Sequence, residues 1–80
     1  NINLDMNKIE ISPGVRVTVN DLELKYLKYI KKVRTLSIER LNSDAMCVIK
    51  LLLSKGIVTR AKKDKNVYIQ LRAGIELPED

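Results

Sequence analysis

The stretch Ser43–Leu71, SDAMCVIKLLLSKGIVTRAKKDKNVYIQL, decides the fold, because its hydrophobic period changes along its length. In the first half, apolar residues recur at helical spacing, at Ala45, Val48, Ile49, Leu52 and Leu53. Gly56 follows them, at the left-handed position where helices commonly end. In the second half, alternation predicts a strand with one buried face, formed by Val67, Ile69 and Leu71. The stretch therefore predicts a helix, a glycine stop and two short strands joined by the basic loop 62–66.

Upstream of this stretch, the sequence predicts a β-hairpin and then a long helix. Lys8–Asn20 alternates apolar and polar residues on both sides of a Ser12-Pro13-Gly14 turn. Asn20 is a good N-cap, and Glu23 lies at the third position of a capping box. We expect the helix to end near Arg34 or Thr35.

A second, very short helix is predicted at Ile38–Leu41, capped by Ser37, before Asn42 and Ser43 offer a new N-cap. These elements together predict one core. Its expected members are Leu22, Tyr26, Ile30, Val33, Leu41, Ala45, Val48, Ile49, Leu52, Ile57, Val58, Val67 and Ile69.

The motifs L-L-x-K-G-I-V at 52–58 and V-Y-I-x-L at 67–71, separated by a basic loop, resemble the end of a winged helix-turn-helix domain. ArsR- and MarR-type regulators carry a similar run. The resemblance covers the last half of the chain and implies an α+β fold, with three helices and a C-terminal two-stranded wing, here preceded by an N-terminal β-hairpin. The chain departs from the family pattern at the second helix, which is about one turn long and has no glycine in the linker after it.

Charge is unevenly distributed along the chain, whose formal net charge is +5. The first 24 residues carry two cations and four acids, residues 25–72 carry thirteen cations and three acids, and the last eight carry three acids. Such a concentrated positive field attracts nucleic acid or an acidic partner. The alternative is a merely soluble, lysine-rich surface of the kind found in proteins adapted to high temperature.

Several function classes lack the residues they need. The sequence has no His and one Cys, and its acids and glycines are scattered, so we expect the protein not to be an enzyme and to have no metal site and no cofactor. The single Cys47 fits a reducing, intracellular setting, and we expect a cytoplasmic or nucleoid-associated protein. No apolar run is long enough to predict a membrane span, so we expect no membrane partner.

The resemblance implies which residues would contact double-stranded DNA. In a winged helix the third helix enters the major groove, and its outward face here would carry Ser43, Met46, Cys47 and Lys50. The wing would carry Arg60, Lys62, Lys63 and Lys65. Lysine contacts to phosphate position a protein without reading sequence, so this hypothesis predicts DNA binding with modest specificity, in a transcriptional regulator or a larger nucleic-acid-processing protein.

A protein-binding function is the alternative, because a helix face with methionine and little charge suits an apolar contact. Met46 and Cys47 are equally compatible with a tolerant, partly buried surface.

The predicted boundaries are a flexible N-terminus at 1–7, one domain at 8–71 and an acidic tail at 72–80. A frayed tail is the favoured interpretation, and docking of Ile75 and Leu77 as a short extended segment is the alternative. We expect the chain to be excised from a longer protein or processed. The sequence leaves the oligomeric state open.

Overall fold

The computed structural model describes residues 6–78, which form two α-helices and five strands in two small sheets. The elements follow one another as β1 (Met6–Ser12), β2 (Val15–Asn20), α1 (Asp21–Val33), β3 (Leu36–Ser37), a 3₁₀ turn (Ile38–Arg40), α2 (Ser43–Lys55), β4 (Val58–Lys63) and β5 (Asn66–Leu71). β1 and β2 form one antiparallel sheet, and the second antiparallel sheet has the order β3-β5-β4. The predicted flexible segment 1–7 lies outside the described residues except for Met6 and Asn7, which begin β1.

The N-terminal hairpin has the predicted turn. The chain reverses at Pro13 and Gly14, and Gly14 has a φ of 80°, which glycine adopts without a Cβ penalty. The pairing register shifts between Glu10 and Ser12, so β1 carries a bulge there. Ile9 and Val19 are fully buried on the inner face. The hairpin is thus a layer of the core rather than an appendage.

Both helices begin with the N-caps that the sequence predicts, and α2 also ends at the predicted glycine. The Asn20 side chain accepts a hydrogen bond from the Glu23 N–H at 2.7 Å, while the Asn20 N–H donates to the Glu23 carboxylate at 2.9 Å. Asn42 caps α2 by accepting from the Ala45 N–H at 2.8 Å. Gly56 ends α2 with a φ of 79°, in the left-handed region.

The predicted winged helix-turn-helix with three helices and a two-stranded wing is wrong. In the described residues, the expected second helix is a single 3₁₀ turn, closed by the Leu41 N–H donating to the Ile38 carbonyl at 3.3 Å. Four residues between Ser37 and the Asn42 cap are too few for a stable run of i→i−4 hydrogen bonds. The expected wing strands also gain a third strand, because Leu36 and Ser37 pair with Ile69 and Tyr68.

The core differs from the predicted one at α1 and at Val67, which is half-buried and lies outside the apolar cluster. Leu22 is 53% exposed and Val33 is 37% exposed, whereas the helix face toward the core carries Glu23, Leu27 and Ile30. The helix turns this way because the Glu23 carboxylate has a partner inside, Lys55 of α2, at 2.9 Å. The buried apolar cluster comprises Ile9, Val19, Leu27, Ile30, Val48, Ile49, Leu52, Ile57, Val58, Ile69 and Leu77.

Residues 72–78 follow the docked alternative rather than the frayed one. Leu77 is 8% exposed and belongs to the core cluster, and Ile75 packs against it. The Arg72 N–H donates to the Ile57 carbonyl at 2.9 Å, which attaches the start of this segment to the loop after α2.

Candidate nucleic-acid interface

The β4–β5 hairpin presents four cations along one short ribbon. Arg60 lies opposite Ile69, Lys62 opposite Val67 and Lys63 opposite Asn66. Lys65 lies in the two-residue turn at the tip. Since successive side chains alternate between the two faces of a sheet, Arg60 and Lys62 share one face and Lys63 lies on the other. The four cations therefore lie on both faces and at the tip of the hairpin rather than forming a flat patch.

The tip also holds the hairpin's one acid, Asp64. Its φ is 59°, a left-handed value that Asp tolerates better than most residues. Turn geometry therefore gives a reason for Asp64 that is independent of charge. The surrounding cations outnumber it, so the tip stays positive.

None of these four cations has an ion-pair or hydrogen-bond partner within residues 6–78. All four are exposed. Lys55 is the contrast, since its ammonium group donates to both Glu23 carboxylate oxygens at 2.9 Å and to the Thr18 carbonyl at 2.8 Å. The charge of Lys55 is neutralised inside the fold, whereas the charges on the hairpin face solvent and remain available to an anionic ligand.

On α2, three of the four predicted contact residues are exposed, namely Ser43, Cys47 and Lys50, and Met46 is half-buried. They are exposed because the opposite face of α2 is in the core, through Ala45, Val48, Ile49 and Leu52. No hydrogen bond or ion pair within the described range joins them to the hairpin cations. Their role in binding stays a prediction.

The outward face of α2 offers little chemistry for base recognition. Specific base reading relies chiefly on Arg, Asn and Gln side chains, and this face offers Lys50, two serines and a cysteine. Asp44 in the first turn adds a negative charge near the helix start. Leu51 is 52% exposed on the same face. The face therefore carries few of the donors that base recognition requires.

Sequence reasoning missed one feature of this side of the molecule, a groove between the end of α1, the 3₁₀ turn and β5. Its lining includes Tyr29, Arg40 and Tyr68. A signal was present in the sequence, because Tyr29 is not among the predicted core residues of its helix and therefore had to be exposed or partnered.

Other site types find no support in the described residues. No group of three or more His, Cys, Asp or Glu side chains comes together in residues 6–78 as a metal site would require. Neither helix in this range is long and apolar enough to cross a membrane.

The comparisons with known proteins add no relative. No protein-family model matches the chain, and no curated protein and no solved structure matches it significantly.

Proposed function

We propose that this domain binds the phosphate backbone of double-stranded DNA through the β4–β5 hairpin, with modest sequence specificity. One observation carries the proposal. Arg60, Lys62, Lys63 and Lys65 are exposed on a single hairpin, and none of them has a partner in the described part of the chain. Neutralising phosphates with such cations releases counterions, which supplies most of the affinity in non-specific binding.

The hairpin combines a fixed base with an exposed tip, as backbone binding requires. Its base is fixed, because Val58 and Ile69 are buried and β3 pairs with β5. Its tip projects long, mobile side chains that can follow a backbone without a defined base register. The exposed face of α2 adds Lys50 and hydroxyl groups but few base-reading donors, which supports low specificity.

A protein-binding function remains the second candidate, and Leu51 is the observation that favours it. This side chain is 52% exposed on the outward face of α2, beside the exposed Cys47. Apolar contacts of this kind are typical of the centre of a protein interface. Binding through α2 would not depend on salt in the way that phosphate binding does.

The test is a salt series of binding to a random-sequence duplex, measured by fluorescence anisotropy. The slope of log affinity against log salt is about −0.9 for each phosphate neutralised. The variant Lys62→Ala with Lys63→Ala should flatten this slope by about 1–2 units and weaken all sequences alike.

The matched control is Lys8→Ala with Arg16→Ala, on the β1–β2 hairpin. It also removes two positive charges from the chain, so an effect of net charge alone would be equal in both variants. We expect the control to keep the wild-type slope. Equal slopes in the two double variants would reject the hairpin as the DNA contact, and absence of duplex binding by the wild type at low salt would reject the proposed function.

A further inference from the structure

The groove beside the hairpin has two aromatic walls. Tyr29 and Val33 enter it from the end of α1, and Tyr68 enters from β5. Tyr29 is 52% exposed, Val33 is 37% exposed and Tyr68 is half-buried. Neither tyrosine hydroxyl has a hydrogen-bond partner within residues 6–78. The Tyr29 ring is therefore exposed to solvent, the Tyr68 ring is partly so, and no hydrogen bond in the described range accounts for either side chain.

The polar groups around these walls can recognise the edge and the charge of a nucleotide. The Asn66 side chain, a donor and an acceptor, lies on the same strand as Tyr68, and Arg40 comes from the 3₁₀ turn. Arg40 is exposed and lacks a partner in the described range. Glu39 is the acid among the lining residues, and its carboxylate can accept from a base amine.

The groove is also continuous with the hairpin cations. Asn66 pairs with Lys63 across the hairpin, and Tyr68 pairs with Ala61. Lys63 and Tyr68 therefore lie on the same face of the sheet, since cross-strand partners share a face and side chains alternate along a strand. A strand of nucleic acid whose phosphate contacts Lys63 is adjacent to the aromatic walls.

The backbone at the rim of the groove is strained. Arg34 has φ 75° and ψ −51°, and the Thr35 N–H donates to the Val33 carbonyl at 2.9 Å. This is the positive-φ form of the γ-turn, which is rare and unfavourable for a residue with a side chain. Val33 and Thr35, on the two sides of this turn, both line the groove. Strain of this kind is concentrated at ligand sites.

We propose that this groove holds an unpaired nucleobase, stacked on Tyr29 and Tyr68, from a single strand that extends from the duplex on the β4–β5 hairpin. The ligand is thus a duplex with a single-stranded extension. Aromatic side chains stack bases with little sequence preference, because every base has a π-face. The proposal rests on the proposed function for its duplex part, but the base-binding step is tested separately below.

The experiment compares three DNA ligands of equal duplex sequence. One is blunt, one carries a short extension of thymidines, and one carries an extension of the same length made of abasic residues. The abasic extension has the same phosphates but no base to stack. Stacking contributes about 1–3 kcal/mol per base, so the thymidine extension should bind about 5- to 150-fold more tightly than the abasic one.

Variants locate the effect in the groove. Tyr29→Ala and Tyr68→Ala should each remove most of the preference for bases, whereas Tyr29→Phe and Tyr68→Phe should keep it because the ring remains. Leu22→Ala is the matched control, because Leu22 is equally exposed on the same helix, at 53%, but does not line the groove. Tyr29 is a surface residue, so its truncation leaves the fold intact even if Tyr68→Ala does not fold.

Each outcome decides the matter. Equal affinity of the wild type for the thymidine and abasic extensions would overturn the proposal. The aromatic walls would then be a candidate contact for a protein ligand instead. A preference that survives in Tyr29→Ala would place the bases elsewhere and also overturn it. Binding of the blunt duplex with the expected salt slope would keep the proposed function in either case. Absence of binding to all three DNA ligands would reject both.

Discussion

The two hairpins of this domain are built alike but differ in which residues lie opposite their cations. Both are antiparallel, both reverse at a two-residue turn and both bury aliphatic side chains. In β1–β2, the register places Arg16 opposite Glu10, while the second cation, Lys8, lies opposite the neutral Thr18. In β4–β5, each strand cation lies opposite a neutral residue. Strand register, and not composition alone, therefore positions the positive charge of the β4–β5 hairpin.

The hairpins also differ in how they are attached to the helices. β1–β2 packs on the apolar cluster through Ile9 and Val19 and has a polar contact in addition, since Lys55, which pairs with the buried Glu23, donates to the Thr18 carbonyl. β4–β5 is held at its base by the apolar cluster, through Val58 and Ile69, and by pairing with β3. No side-chain hydrogen bond or ion pair joins residues 62–67 at its tip to the rest of the described chain. A ligand can therefore surround the tip without disturbing the core.

The largest expected effect is on the common core. Ile9→Ala and Ile69→Ala should each lower the free energy of unfolding by about 2–5 kcal/mol, because both side chains are fully buried and truncation leaves a cavity. Urea unfolding, followed by circular dichroism and tyrosine fluorescence, measures both. A loss below about 1 kcal/mol for Ile9→Ala would show that the first hairpin lies outside the cooperative core.

Some features of this core can be predicted from the sequence, and others cannot. The hairpins, the caps and the glycine stop are predictable because each depends on neighbouring residues, as in the Asn20–Glu23 capping box. The rotation of α1 is not, because it follows from the pairing of Glu23 with Lys55, 32 residues later. Burial of Leu77 likewise depends on packing that no local period records.

The candidate site is likewise only partly predictable from the sequence. The hairpin cations are contiguous in sequence, so their clustering is predictable, but the division of Lys62 and Lys63 between two faces needs the register. The groove joins α1, the 3₁₀ turn and β5, and no sequence spacing brings Tyr29 beside Tyr68.

The second largest expected effect tests whether the Lys55–Glu23 ion pair stabilises the first hairpin more than the second. Lys55→Met should cost about 2–4 kcal/mol, because it leaves the 3% exposed Glu23 carboxylate without its counter-charge. Amide hydrogen exchange should accelerate in β2 more than in β5, since Thr18 also loses its donor. Combining Lys55→Met with Glu23→Gln should recover part of the loss. Equal acceleration in both hairpins would show that the ion pair stabilises the whole domain rather than the first hairpin.

A smaller effect concerns the turns. The first hairpin places a glycine at its positive φ, Gly14, whereas the chain entering β3 places Arg34 there. Arg34→Gly should stabilise the fold by about 1 kcal/mol, because relief of strain exceeds the entropy that glycine adds to the unfolded chain. Gly14→Ala should destabilise by about 1 kcal/mol through backbone strain alone, since no atom lies within 4 Å of the added Cβ. Thermal unfolding compares them, and a destabilised Arg34→Gly would show that the Arg34 side chain itself supports the turn.

The smallest changes in stability accompany single cation replacements, and these sharpen the comparison of the hairpins most directly. Arg60→Gln, Lys62→Gln and Lys63→Gln remove exposed charges without partners, so each should change the free energy of unfolding by less than about 0.5 kcal/mol. Their effects on duplex binding should nevertheless differ. A backbone that crosses the tip contacts both faces, so Lys62→Gln and Lys63→Gln should each flatten the salt slope by about 0.9, and Arg60→Gln, nearer the base, by less. Arg16→Gln should leave the slope unchanged, because its charge lies opposite Glu10 on the other hairpin. A uniform small change across all four variants would mean that DNA senses the net charge of the domain and not the register of one hairpin.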